Sequence, residues 1–215
     1  MLSPRRLCPF VLAALILGTG VAQADTVLRA ILLNSEEPGM IVPTTSTGGF
    51  RPVSFGTATF VLNAAETAMT MIAEVHNIDF TGTQTADTFD NLTAAHIHGS
   101  DSLTNPATRP VVWGFFGLPF KDTTPTDTVV TPFVTGVGGT VTSKWDLPEG
   151  NGGTTLALQI PNILNARTYL NFHTVQFPGG EVRGTLLVIP EPSALLLLAL
   201  AGTPLILRRR QRNAA

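Results

Sequence analysis

The chain has 215 residues, 44% of them hydrophobic and only 13% charged, with a single cysteine and a formal charge of −2. So much apolar content with so little charge argues against a disordered chain, and one cysteine rules out an internal disulfide or a Cys₄ zinc site. No basic excess marks a nucleic-acid binder, and the length allows one or two domains.

The apolar residues are concentrated at the two ends. Residues 1–24 read as a secretory signal peptide: Arg5 and Arg6 form the positive n-region, residues 10–17 the apolar stretch, and Ala22-Gln23-Ala24 a small-residue cleavage site. Cleavage after Ala24 makes Asp25 the first mature residue and removes Cys8. A transmembrane anchor is disfavoured there, because the run is too short for a hydrocarbon core of about 30 Å. At the other end, Pro190-Glu191-Pro192 is followed by an apolar run over residues 194–207 and then by Arg208, Arg209, Arg210 and Arg212. As a helix at about 1.5 Å per residue this run is short for a permanent span, and the arginines would stay cytoplasmic. An ordinary C-terminal membrane anchor is the alternative reading.

Residues 25–187 between these ends carry 14 acidic and 7 basic side chains, a net charge of −7. The whole-chain figure hides an acidic domain, unsuited to anionic lipid or nucleic acid. Its 28 threonines favour strands and keep a polar face soluble without charge. Alternating apolar positions predict strands over 26–33, 56–62, 69–75, 94–98, 111–116, 139–145, 155–160, 168–175 and 181–188. Clusters such as Glu149-Gly150-Asn151-Gly152-Gly153 and Pro178-Gly179-Gly180 separate them. No stretch shows a sustained helical period; only 63–68 and 163–166 have room for a turn of helix. Eight or nine short strands predict an all-β domain, an immunoglobulin-like or Greek-key sandwich or barrel. The connections at 34–55, 77–93, 99–110 and 117–138 are long enough to carry function.

The four histidines are His76, His96, His98 and His173. His96-Ile97-His98 on a strand puts both imidazoles on one face, and the alternation of Leu170 and Phe172 with Tyr169, Asn171 and His173 puts His173 on the corresponding face. One reading is a copper or zinc site with His96, His98 and His173 as ligands. The spacing is similar to that of the copper/zinc superoxide dismutase sandwich. The other reading is that these rings hydrogen-bond loop backbone and one another. His76, on a face with Glu74, reads as structural. A tight turn at 177–180 predicts His173 opposite Gly184 and an ion pair between Glu181 and Arg183. Asp87 and Asp90 are either a weak calcium site or a solvated loop, without EF-hand spacing. Trp113, Phe115 and Trp145 are either an exposed sugar platform or core. Asn91-Leu92-Thr93 matches a glycosylation sequon. No cysteine nucleophile, G-x-S-x-G or phosphate loop is present.

Two resemblances follow from these residues. The tail of proline-flanked Glu191, apolar run and arginines resembles the PEP-CTERM sorting signal over the last 28 residues. That resemblance implies an exosortase, a membrane transpeptidase of Gram-negative bacteria, transient insertion in the inner membrane, and delivery to the cell surface or extracellular matrix. Ala95-His96-Ile97-His98-Gly99, Tyr169-Leu170-Asn171-Phe172-His173-Thr174 and Pro178-Gly179-Gly180-Glu181-Val182-Arg183-Gly184 resemble the CHRD domain, first named from chordin. Glu37-Pro38, Pro43-Thr44-Thr45 and Gly56-Thr57-Ala58-Thr59-Phe60 fit its N-terminal part. This second resemblance implies one all-β domain over about 26–187, and no defined activity. Two functions stand against each other: a non-enzymatic surface protein that binds or adheres, with matrix polysaccharide among its partners, and a copper redox enzyme using the three histidines.

Overall fold

The computed structural model describes residues 23–100, 109–122 and 125–190. The chain forms β1 (Thr26–Leu33), β2 (Phe55–Leu62), β3 (Ala68–His76), β4 (Leu92–Gly99), β5 (Val111–Phe116), β6 (Val129–Pro132), β7 (Gly138–Asp146), α1 (Leu156–Leu164), β8 (Thr168–Thr174), β9 (Val182–Thr185) and β10 (Leu187–Val188). The fold is all-β, as the alternation predicts. The proposed signal peptide falls outside the described residues except for Gln23 and Ala24, and the C-terminal apolar run, with Glu191 and Pro192, lies outside them altogether. Among the described residues no helix is long and apolar enough to cross a membrane.

One antiparallel sheet runs β5-β4-β8-β9-β1-β2-β3-β7-β6, with β10 on β1. Its weakest seam is β1–β9, held by the single pair Leu33↔Arg183. Gly184 lets the two strands approach there, because a Cβ at that position would stand 2.2 Å from the Ile31 carbonyl oxygen. The two halves close face to face. Trp113 of β5 stacks on Trp145 of β7, centroids 5.3 Å apart and planes 2° from parallel, and Phe172 of β8 stacks on Phe80 at 6.2 Å. The strands that read as alternating bury alternate residues: Leu28, Ala30 and Leu32 on β1; Ala58, Phe60 and Leu62 on β2; Met69, Met71, Ala73 and Val75 on β3.

Three expectations need correction. Residues 155–160 are not a strand but the start of α1. Leu156, Ile160 and Ile163 are buried at helical spacing, whereas Leu158, which a strand would place beside Leu156, is 63% exposed. Pro161 inside the helix masks that period in the sequence. The β8–β9 connection is longer than a tight hairpin: Phe177 accepts from both Thr174 and Gly180, and Glu181 donates to Phe172. Leu170, not His173, therefore stands opposite Gly184. Glu181 does not pair with Arg183. It is fully buried and bridged by Arg51 (Nη2–Oε2 2.5 Å), with Ser54 and Thr174 donating their hydroxyls to the same carboxylate. Trp113, Phe115 and Trp145 are core, so the sugar platform is excluded.

Two stability outcomes follow. Trp145→Ala should lose about 3–5 kcal/mol in urea unfolding; a loss below about 1 kcal/mol would show that the halves do not close on this pair. Arg51→Met strands a buried carboxylate and should cost about 3–5 kcal/mol, part of which Glu181→Gln should restore in the double variant.

Candidate metal centre

β4 and β8 set the geometry. His96 stands opposite Asn171, His98 opposite Tyr169, and His173 opposite Ala94. Opposed residues of antiparallel strands share a face, so the three histidines form one patch with His173 on the diagonal from His96. One nitrogen from each ring lies within 4.8 Å of the other two. Among the described residues this is the cluster of ligating side chains that the fold assembles. His96 and His173 are buried and His98 is half-buried. Both faces of β8 are covered, which turns an outer sheet face into an interior one.

Backbone carbonyls fix two of the rings. A carbonyl oxygen only accepts, so the Nδ1 of His98, 2.7 Å from the Arg109 oxygen, carries a proton, and so does the Nδ1 of His173, 3.0 Å from the Pro178 oxygen. Each ring is left with its lone pair on Nε2. Metal-bound histidines usually donate their other ring N–H to a carbonyl or carboxylate in this way. The His173 Nε2 lies 3.2 Å from the His96 Nδ1. Two nitrogens each about 2.0–2.1 Å from one tetrahedral ion stand about 3.3 Å apart, so this pair already has the right separation. The buried Nε2 atoms of His96 and His98 have no hydrogen-bond partner. Hydrogen bonding to loops and to one another, the second sequence reading, is thus real but leaves two acceptor-capable nitrogens unused.

Burial pushes the His96 imidazole down to about 3, with the neighbouring His173 and His98 adding to the effect, and pushes His98 down to about 4. His173 is lowered by burial as well. All three rings are neutral at pH 7, the form in which imidazole ligates.

The other residues singled out by sequence fall around this patch. Tyr169 stacks on His98 at 4.9 Å and 6°, and the Arg183 guanidinium lies 4.7 Å from the Tyr169 centroid. Gly179 and Gly180 form the turn that presents the Pro178 carbonyl. Gly180 has φ +126°, and a Cβ there would meet Asn171 and Glu37 at 2.5 Å. His76 stands apart, stacked on Phe55 and 2.9 Å from Glu74. Asp87 and Asp90 are not in the cluster: Asp87 accepts hydrogen bonds from Ser46 of the β1–β2 connection, and Asp90 accepts from Thr85 of its own loop.

Four contributors were missed as site residues. Phe120 sets its ring edge-on to His96 at 5.9 Å and 83°, and Gly114 allows this because a Cβ would stand 2.3 Å from the Phe120 oxygen. Arg109 and Pro178 act through carbonyls, which no side-chain pattern announces. Glu37, buried, lines a cleft of about 360 Å³ with Arg109, Tyr169 and His98. Burial raises its carboxyl to about 7, against the pull of Arg183.

The sequence pattern of the CHRD domain matches residues 30–186. The chain belongs to the CHRD domain family. No curated protein and no solved structure matches it. The match runs from within β1 to Leu186, just before β10, and fits a non-enzymatic domain of extracellular type.

These shifts have opposite signs. Below about pH 6.5 the unfolded chain takes up histidine protons that the folded chain refuses, so His96 and His98 make stability rise with pH from about 3 and about 4, respectively, to 6.5, and His173 acts in the same direction. Glu37 keeps its proton to about 7 when folded but to only about 4.5 when unfolded, so it makes stability fall across 4.5–7. Glu37→Gln should therefore steepen the gain in stability between pH 4.5 and 6.5, measured by urea unfolding of the metal-free protein. An unchanged slope would show that Glu37 is ionised in the folded state.

Proposed function

We propose that this protein is an exported envelope component whose CHRD domain works by binding, and that the binding centre is one copper or zinc ion held by His96, His98 and His173. The observation that carries this reading is the convergence of three neutral imidazoles, one nitrogen of each within 4.8 Å of the other two, with the lone-pair Nε2 of His98 buried and unpartnered and two of the rings oriented by carbonyls. Three histidines on one ion match the donor set of known zinc and copper sites. Where they hold an ion, the ion supplies a Lewis-acidic centre. The protein's residues supply orientation, through Arg109 and Pro178, and a water-poor surround, through Phe120 and Tyr169.

Export and display belong to the same reading. The signal peptide ending at Ala24 sends the chain across the inner membrane. The Pro190-Glu191-Pro192 tail makes it a substrate of an exosortase that leaves the domain at the cell surface or in the matrix of a Gram-negative bacterium, beside extracellular polysaccharide. The motif begins two residues after β10 ends at Val188, and Ile189 and Pro190 are exposed, so a transpeptidase would reach it without unfolding the sandwich. A second reading, a copper redox enzyme of dismutase-like chemistry, draws support from the cleft that His98 lines.

The full chain, purified in detergent and stripped of metal, should take up about one equivalent of copper or zinc in calorimetric titration. His98→Ala should abolish uptake and His76→Ala should leave it intact. No stoichiometric uptake by the folded protein would overturn the metal reading. Superoxide decay no faster with the copper-loaded chain than with the stripped chain would remove the enzyme reading.

A further inference from the structure

The charge and enclosure of the three-histidine patch bear on which ion it takes. Three neutral imidazoles bring no charge, and no carboxylate joins the cluster among the described residues. The acid that follows on the hairpin, Glu181, is neutralised by Arg51. The other buried acid of this region, Glu37, lies 3.7 Å from Arg183. Cations are close instead. Arg109 lines the cleft with His98, and Arg183 packs on the ring against which His98 stacks. Among the described residues, an ion bound here meets no carboxylate that is not already beside an arginine.

Burying an uncompensated charge is costly, and because the Born term grows as the square of the charge, a divalent ion costs roughly four times as much as a monovalent one. Coordination number points the same way. Zinc in a structural site is almost always four-coordinate, and the cluster offers three donors. The Phe120 ring lies against His96, and the Nε2 atoms of His96 and His98 are closed off from solvent. A monovalent d¹⁰ ion that accepts three imidazoles in a plane meets these conditions.

Resting on the metal reading above, we infer that the CHRD domain of this protein holds cuprous copper, and that it selects Cu(I) over Zn(II) and Cu(II) because the site offers three neutral donors and no anion. The domain is on this view a Cu(I) carrier or buffer.

The test is a competition under anaerobic conditions on the full chain in detergent. The metal-stripped protein is loaded with one equivalent of Cu(I) and challenged first with a tenfold excess of Zn(II) and then with a chromogenic Cu(I) chelator. The expected result is one Cu(I) per chain, undisplaced by zinc. His98→Gln should weaken Cu(I) retention by about a hundredfold, the upper end of what even an outer-shell partner costs, while His76→Gln leaves it unchanged. The near-ultraviolet dichroism of the stacked Trp113–Trp145 pair reports that each variant is folded. Displacement of Cu(I) by zinc, or equal retention in folded His98→Gln, overturns the cuprous assignment. Stoichiometric zinc uptake in that case leaves the metal reading standing. Binding of neither ion overturns both.

Discussion

Glu181 is a carboxylate with no exposed surface, and Arg51 meets it with both Nη atoms. Removing either partner would leave an uncompensated buried charge, so the pair fixes everything attached to it. Arg51 comes from the connection between β1 and β2. Glu181 sits where the β8–β9 connection enters β9, and its backbone oxygen accepts from Asn34 just after β1. Arg51 also donates to the Asn77 carbonyl beyond β3 and to Gln176, whose amide holds Val42 and Thr44. Three connections remote in sequence, after β1, β3 and β8, are thus tied at one end of the sandwich. The seam between its halves at β1–β9 has a single ladder pair, and this polar knot holds that seam.

The histidine patch depends on the same knot. Pro178 lies in the connection that Thr174 and Glu181 close through the side-chain bond between them. Its carbonyl sets the tautomer of His173, and a shift of that connection would leave the ring free to turn. On the other side the Arg109 carbonyl does the same for His98, and the segment that carries Phe120 crosses Gly114 to close over His96. Sheet register delivers the three rings to one face, and loops decide which nitrogen each ring presents. The rigid part and the adjustable part of the centre come from different levels of the structure.

The sandwich was legible in the sequence because period-two burial is a local property. Leu28, Ala30 and Leu32 read as one face before any partner is known. The same logic placed His96 and His98 together, and with Leu170 and Phe172 marking the inner face of β8 it brought in His173. Contacts made at a distance were not legible. Glu181 looked two residues away for a cation and found one 130 residues upstream. Gly184 looked like room for a ring and is room for the Ile31 backbone. The short α1 hid because Leu156, Leu158 and Ile160 satisfy a strand pattern, and only the exposure of Leu158 shows that period two is wrong there. Arg109 and Pro178 contribute oxygens that every residue has.

The metal-free centre carries an energetic burden. A buried polar atom without a partner costs about 1–3 kcal/mol, and the Nε2 atoms of His96 and His98 are two of them. An ion bound through the His98 Nε2 would remove the penalty on that atom and would favour the folded state by mass action. That stabilisation would be directed, because it would act on His98 and His173, whose Nδ1 atoms hold the carbonyls of Arg109 and Pro178. The gain is therefore transmitted to the connections before β5 and between β8 and β9, and through Glu181 to the Arg51 knot. An ion at the histidines would stand at one end of a path that runs through the β8–β9 connection to the Arg51 ion pair, so binding there should tighten the seam that the single Leu33↔Arg183 pair leaves weak.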